Sequence, residues 1–225
     1  MTNRKAFRHW TFLCSLAFAL SAVCAGSGCS KVLSGKSAEP VKGWTCDKEA
    51  DEAMKRNDYE AGISLHERFL EKEPENALAL YHLGYAYGQI GEHLREVSHY
   101  EKAISFGYKR DRIFFNLGMA YGELNQTEKS ISAFKQALDM NPGIADNHFG
   151  LAVAYQKNAA DKLAEEEFLK AIEIDPRHVD ARLLLSLLYA DCGELEKAAG
   201  QLRKTLEIDP TNERARHFLE RIEKE

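Results

Sequence analysis

The sequence has few of the residues that mark non-globular chains. Five prolines and fifteen glycines among 225 residues are too few for a collagen-like or low-complexity polymer. Hydrophobic residues make up 44% of the chain and charged residues 29%, an ordinary balance for a folded protein. Composition and length therefore predict a single globular unit with a core of its own.

Positive charge is also scarce. The formal net charge is −5, and three of the thirty basic residues (Arg4, Lys5 and Arg8) stand at the N-terminus. Without those three, 27 basic and 35 acidic residues leave a net charge of −8. Such a field repels a phosphate backbone, and no local basic stripe offsets it. Nucleic acid is therefore not an expected partner.

The longest apolar run is too short to cross a bilayer. It extends from Trp10 to Ala25, sixteen residues against the roughly 20 that a spanning helix needs. A basic head, a short apolar run and then small residues are typical of a cleaved secretory signal. We therefore predict a signal peptide over residues 1–28 and export of the mature chain.

Two cleavage patterns compete after this run. Val23-Cys24-Ala25 fits the small-x-small rule for release as a soluble periplasmic protein. The stretch 25–29 resembles a bacterial lipoprotein signal, which implies lipidation of Cys29, a tether over residues 29–42 and attachment to the bilayer of the cell envelope. Gly26 departs from that pattern, where a larger aliphatic residue is usual. In the resemblance, Ser30 favours the outer membrane.

The rest of the chain repeats with a period of 34 residues. Prolines recur at 142, 176 and 210. Leucine, small, tyrosine and bulky positions follow the same step, as in Leu83, Leu117, Leu151 and Leu185; Gly84, Gly118, Ala152 and Ser186; Tyr87, Tyr121, Tyr155 and Tyr189; and Tyr100, Phe134, Phe168 and Leu202. Within one unit these residues share helical faces, and Asn57, Gly91, Asn125 and Gly193 mark the turns between helices. A fixed period of this length is the signature of a helical repeat array.

These positions resemble the tetratricopeptide repeat, with its Leu-Gly-x-x-Tyr core followed by Ala, Phe, Ala and Pro. The resemblance implies an all-α fold, a right-handed superhelical solenoid of antiparallel helix pairs. It covers residues 43–212 as five repeats, at 43–76, 77–110, 111–144, 145–178 and 179–212. A capping helix is predicted over residues 213–225. The first repeat is degenerate, because Glu49, Ala53 and Phe69 replace the usual Leu, Tyr and Ala.

No motif of catalysis or cofactor binding occurs. Dinucleotide, Walker, zinc-protease and nucleophile-elbow patterns are all missing, so we expect neither an enzyme nor a cofactor. There is no Cys-x-x-Cys, and His82 and His148 fall in separate repeats, so no metal site is predicted. The three acidic residues 165–167 are predicted to be solvated. Cys46 and Cys192 lie four repeats apart, too far for a disulfide.

The resemblance implies a concave groove lined by the first helix of each repeat, which binds peptides or partner helices. Its fifth and ninth places carry an apolar stripe, consisting of Tyr81, Tyr85, Phe115, Met119, Phe149, Val153, Leu183 and Leu187. Arg112 and Asn116 are the predicted polar groove residues, with Glu123 and Lys157 as further rim candidates. The family's carboxylate clamp is not expected, because only Arg112 and Asn116 fit it and they share one repeat.

The sequence therefore predicts an exported, membrane-anchored adaptor that binds a segment of a partner protein in this groove. One alternative is a fixed structural subunit or homo-oligomer whose groove is permanently filled. Another is a carrier of an apolar ligand. A third interpretation is that the apolar stripe belongs to the core between repeats and leaves no binding surface.

Overall fold

The computed structural model describes residues 44–224, and this part of the chain contains eleven helices and no strand. The predicted signal peptide, the lipidation site at Cys29 and the whole tether lie outside the described residues. The helices are α1 (Lys48–Lys55), α2 (Tyr59–Leu70), α3 (Ala77–Gln89), α4 (His93–Ser105), α5 (Asp111–Glu123), α6 (Thr127–Met140), α7 (Ala145–Lys157), α8 (Asp161–Ile174), α9 (Val179–Asp191), α10 (Leu195–Ile208) and α11 (Glu213–Ile222).

The helices form an all-α solenoid of antiparallel pairs. Each helix packs on the next in the chain, from α1 through to α11. In addition, α3 contacts α5 and α5 contacts α7, so that first helices of successive pairs are neighbours. This arrangement places the first helices on one face of the solenoid, where the sequence places the groove.

A left-handed residue ends the first helix of each pair. Asn57, Gly91, Asn125 and Gly193 have φ values of 60°, 79°, 55° and 79°, as the turn pattern predicts. In the fourth pair the place is taken by Ala159, with φ of 54°. A left-handed conformation costs a residue with a Cβ roughly 1–2 kcal/mol, and alanine, unlike asparagine, has no polar side chain to offset it by a local hydrogen bond. This turn is therefore the most strained of the five.

Small residues in the first helices allow close approach of aromatic rings. A Cβ added at Gly84 would lie 2.5 Å from Cδ1 of Tyr100, and one at Gly150 only 2.3 Å from Cε1 of Phe134. Both distances are far inside van der Waals contact. At Gly84 the glycine and the bulky residue of the period therefore contact each other within one repeat. Gly150 lies outside the series of small residues, and it contacts the bulky residue of the preceding repeat.

Hydrogen bonds join successive repeats at their tyrosines. Tyr87 Oη donates to Glu67 Oε1 at 2.6 Å, and Tyr121 Oη donates to Glu101 Oε1 at 2.6 Å. Both glutamates lie on the second helix of the preceding repeat. At Tyr155 the equivalent acid is replaced by Lys135, whose Nζ lies 5.7 Å from the ring centroid. The tyrosine series thus fills the core and also connects neighbouring repeats.

The two ends of the solenoid differ from its middle. Helix α1 has 8 residues, whereas the other first helices have 13. At the opposite end α11 packs on α10 through Phe218, which is only 3% exposed. Both ends therefore expose less apolar surface than an internal repeat would. Within residues 44–224, none of the helices combines the length and apolarity required to cross a bilayer.

Candidate partner-binding groove

The N-terminal part of the predicted groove is aromatic. On α3, Tyr81 and Tyr85 are half-buried. The Tyr81 ring stacks on Tyr108 with centroids 4.8 Å apart, and the Tyr85 ring meets Tyr59 edge to face at 6.3 Å. Each ring therefore rests partly on the core and leaves part of its surface open.

The middle of the groove combines apolar and amide groups from α5. Phe115 and Met119 are half-buried and pack beside the core around Phe134, and the Phe115 and Phe134 ring centroids are 5.6 Å apart. Asn116 Nδ2 donates to Tyr100 Oη at 3.1 Å. This bond fixes the Asn116 amide inside the protein, so its nitrogen is already used by the fold.

Phe149 corrects the predicted groove lining. It is only 7% exposed, and its ring lies 6.0 Å from Phe168 and 4.9 Å from His178 between ring centroids. The small Gly150 beside it lets α7 sit against Phe134, and Phe149 turns into the core between the fourth and fifth repeats. The apolar stripe is therefore interrupted at α7, where only Val153 remains half-buried.

The C-terminal part of the groove is aliphatic. Leu183 and Leu187 on α9 are half-buried and pack beside the core cluster that contains Leu185. Leu183 also borders a shallow pocket, whose other walls are Asp180 on α9 and the start of the cap at Thr211, Asn212, Glu213 and Arg214. The cap thus closes one end of the groove.

Charged side chains lie near the centre of the groove. Arg112 is exposed on α5, and Asp146 on α7 faces His178 Nε2 at 3.4 Å. His178 Nδ1 accepts the Ala181 amide at 3.2 Å, which leaves the proton on Nε2, toward Asp146. The facing His178 side chain and then the nearby Arg112 charge lower the pKa of Asp146 below its ordinary value. Asp146 is therefore a fixed negative charge at this point.

A predicted rim residue, Lys157, and a first-helix glycine, Gly88, both make contacts within the protein. Lys157 Nζ donates to the Gly122 carbonyl at 2.8 Å and so joins the third and fourth repeats. Gly88 lies against the buried carboxylate of Glu96, since a Cβ there would be 2.5 Å from Glu96 Oε1. Burial raises the pKa of Glu96 to about 7, although His93 Nδ1, 2.9 Å away, opposes the shift.

Family profiles described as "Tetratricopeptide repeat" match residues 48–109, 111–144 and 159–222, which together make up more than half of the chain. The chain is a tetratricopeptide repeat protein. Membership of this family supports the coarse prediction of a protein-binding scaffold.

Solved structures agree with this fold. A structure titled "Crystal structure of MamA" superposes with a TM-score of 0.69 at 23% identity, covering 74% of this chain and 96% of that one. YrrB, described as "a TPR protein with an unusual peptide-binding site", gives 0.66 at 24% identity, covering 75% and 87%. TTC0263 from Thermus thermophilus gives 0.61 at 22%, covering 78% and 96%. At the level of sequence, no curated protein matches significantly.

A buried polar pair in this tetratricopeptide repeat protein was not expected. Glu167 is 9% exposed, whereas the sequence predicted a solvated acidic surface. It hydrogen-bonds to His148 Nδ1 at 2.6 Å and accepts from Lys170 Nζ at 2.8 Å, and His148 Nε2 contacts the Pro142 carbonyl at 3.0 Å. The pair ties α7 to α8, so His148 has a structural role rather than a place in the groove.

A cluster of potential metal ligands lies at the N-terminal end. One ligand atom each from Cys46, His66 and His82 lies within 4.8 Å of the others. Spacing along the chain gave no hint of it, because the three residues belong to the loop before α1, to α2 and to α3. One signal was present: His66 occupies the place of the bulky core series, 34 residues before Tyr100. Cys46 and Cys192 are both free thiols.

Proposed function

We propose that this tetratricopeptide repeat protein is an exported, lipid-anchored adaptor that holds an apolar or amphipathic segment of a partner protein along its first helices. The observation that carries the proposal is the row of half-buried side chains on α3, α5, α7 and α9. Apolar groups that remain partly exposed on one continuous face are typical of interaction surfaces.

The groove chemistry favours a mixed partner segment. Apolar contacts would come from Tyr81, Tyr85, Phe115 and Met119 toward the N-terminal half, and from Val153, Leu183 and Leu187 toward the C-terminal half. Arg112 and Asp146 stand between these two parts. A partner therefore needs apolar side chains at both ends and a polar or charged group at its centre. The peptide-binding site named for YrrB supports a peptide as the ligand class.

Export and anchoring are supported by the N-terminal sequence. The basic head, the apolar run and the small residues before Cys29 resemble a lipoprotein signal, and Cys29 is the proposed site of lipidation. Such an anchor would place the repeats at the surface of an envelope membrane, the outer membrane in this proposal, where the partner would be another envelope protein.

The groove is tested by replacing Tyr85 and Met119 together with asparagine. Each loses about 60 Å² of further apolar burial, about 1.5 kcal/mol at about 25 cal/mol per Å². The double variant should therefore capture its partner about 10- to 100-fold more weakly. The partner is identified by photo-crosslinking from position 119 of the wild-type protein in membranes, and its capture by the wild type and by the double variant is then compared in a pull-down with the purified proteins.

The matched control places the crosslinker at Leu94, which is 71% exposed on α4, a second helix. The proposal requires a partner crosslinked from position 119 and not from position 94, and a monomeric mass for the purified protein. Capture that is unchanged in the double variant with intact helicity would contradict the groove. A stable dimer that covers position 119 would favour the fixed subunit, and a co-purified lipid would favour the carrier.

Cys29→Ser should release the protein from the membrane fraction.

A further inference from the structure

A buried histidine near the N-terminus has no hydrogen-bond partner. His66 on α2 is 0% exposed, and both of its ring nitrogens are buried without a partner. A buried polar group left in this state destabilises the fold, because it has given up its hydrogen bonds to water without replacing them. The N-terminal repeat has only a few other buried residues to offset that cost. An unpartnered imidazole of this kind indicates a ligand that supplies the missing bond.

Three other ligand groups converge on His66. Cys46 lies just before α1 and His82 lies on α3, and both contribute atoms within 4.8 Å of the His66 ligand atom and of each other. On α1, Asp51 Oδ1 is 3.1 Å from His82 Nδ1 and 3.9 Å from His66 Nε2. Asp51 Oδ1 and His82 Nδ1 also lack a well-oriented hydrogen bond. Three side chains from three segments therefore face one point, and the Asp51 carboxylate lies beside the two histidines.

We propose that Cys46, Asp51, His66 and His82 bind a zinc ion that fastens the first repeat to the second.

The geometry fits tetrahedral zinc. Zn–N bonds of about 2.0–2.1 Å and a Zn–S bond of about 2.3 Å place ligand atoms roughly 3.3–3.6 Å apart in a tetrahedron. The distances from Asp51 Oδ1 to His82 Nδ1 (3.1 Å) and to His66 Nε2 (3.9 Å) lie on either side of this range. The ligand atoms of Cys46, His66 and His82 lie within 4.8 Å of one another and would move closer together by about 1 Å when zinc binds. Thiolate, imidazole and carboxylate groups all bind zinc in proteins.

The charge around the cluster favours a dication. Burial, then Asp51, Glu73 and Asp47, raise the pKa of the Cys46 thiol to about 12. Burial lowers the pKa of His66 to about 4, so its ring is neutral at pH 7 and can donate a lone pair. Zinc binding would form a Zn–S bond and release the thiol proton to solvent, so affinity should rise with pH.

The bound metal would stabilise the first repeat of the solenoid, which has few buried residues. The degenerate repeat buries only Ala50, Ala53, Gly62 and His66 in α1 and α2. Asn76 Nδ2, which donates to the Thr45 carbonyl at 3.0 Å, already holds the segment that carries Cys46 beside α3. A metal joining the loop, α1, α2 and α3 would replace the apolar contacts that this repeat lacks.

The test uses the untagged full chain, purified in detergent, stripped with a chelator and titrated with Co²⁺ as a coloured substitute for Zn²⁺. We expect one Co²⁺ per chain, tetrahedral visible bands and a thiolate-to-cobalt charge-transfer band that Zn²⁺ abolishes. Cys46→Ser should remove the charge-transfer band, and His82→Ala should weaken Zn²⁺ binding at least about tenfold. Zinc should also increase hydrogen-exchange protection in α1 and α2, and leave α8 and α10 unchanged.

Cys192→Ser is the matched control, because Cys192 is exposed in the fifth repeat and should not affect the spectrum. Substitution of the buried His66 risks misfolding, so the conclusion depends on Cys46 and His82, which are both partly exposed. A wild-type spectrum without the charge-transfer band, or an identical band in Cys46→Ser, would overturn the proposal. So would zinc binding without any change in the exchange of α1 and α2.

Discussion

Single residues in this solenoid differ in how well their buried charges are compensated. Glu167 has two partners, His148 and Lys170, whereas Glu96 has only His93 and lies beneath the backbone at Gly88. Desolvation therefore dominates at Glu96 and raises the pKa of its carboxyl to about 7. Because this pKa exceeds the ordinary value of 4.5, the folded state binds more protons than the unfolded state between those two pH values.

Glu96 should consequently lower the stability of the protein as pH rises from about 4.5 to about 7, and add no further change above that. We expect Glu96→Gln to gain stability relative to the wild type by roughly 3 kcal/mol between pH 5 and pH 8. Urea unfolding at both pH values measures the difference. Comparison with the wild type is needed because His66, with its lowered pKa, destabilises the fold as pH falls below about 6.5.

Glu60→Gln, at an exposed place on α2, serves as the control and should show no such gain. An equal pH response in Glu96→Gln and in the wild type would mean that Glu96 is already solvated and ionised in the folded protein.

At the scale of the helices, packing depends on which glycines face a ring. Gly150 lies where any Cβ would be 2.3 Å from Phe134 Cε1, whereas a Cβ at Gly200 on α10 meets nothing within 4 Å. Both glycines are inside helices, so both lose backbone entropy on folding. Only the surroundings distinguish them, which makes them a matched pair.

We expect Gly150→Ala to destabilise the protein by about 1–3 kcal/mol, because Phe134 must move away from its rotamer. Gly200→Ala should stabilise it by roughly 0.5–1 kcal/mol through helix propensity alone. Thermal and urea unfolding measure both changes. Stabilisation by both substitutions would show that α7 and Phe134 can separate at little cost.

At the scale of the whole molecule, the main helix contacts within residues 44–224 join the same repeat or neighbouring ones, so that stability is close to a sum of local contributions. Phe218 in the cap is 3% exposed and joins the cluster that holds α8, α9 and α10 together. Phe218→Ala should cost about 3–5 kcal/mol of local stability. Hydrogen exchange should accelerate in α9, α10 and α11 and stay unchanged in α3 and α4.

Phe106→Ala is the control, since Phe106 is 38% exposed after α4 and should cost less than about 0.5 kcal/mol. Equal acceleration of exchange along the whole solenoid in Phe218→Ala would show that the repeats unfold as one unit rather than one by one.

The sequence by itself determined the helix pairs, the left-handed turns at Asn57, Gly91, Asn125 and Gly193, and the series of small and bulky positions along the helices. Each of these depends on contacts within one repeat or between adjacent repeats. The residue types that make such contacts recur several times with the period of 34 residues. Repetition makes them visible because every copy must satisfy the same packing requirement.

Only the tertiary structure decided the features that occur once. Phe149 turned into the core rather than the groove because Gly150 lets α7 approach Phe134, and Glu167 was buried because His148 faces it. The 34-residue period aligns His66 with Tyr100 and His82 with Asn116. Comparison of the repeats therefore reveals two departures from the pattern, and it does not indicate that the two histidines meet. Their meeting with Cys46 depends on how α1, α2 and α3 are oriented, and spacing along the chain carries no record of that orientation.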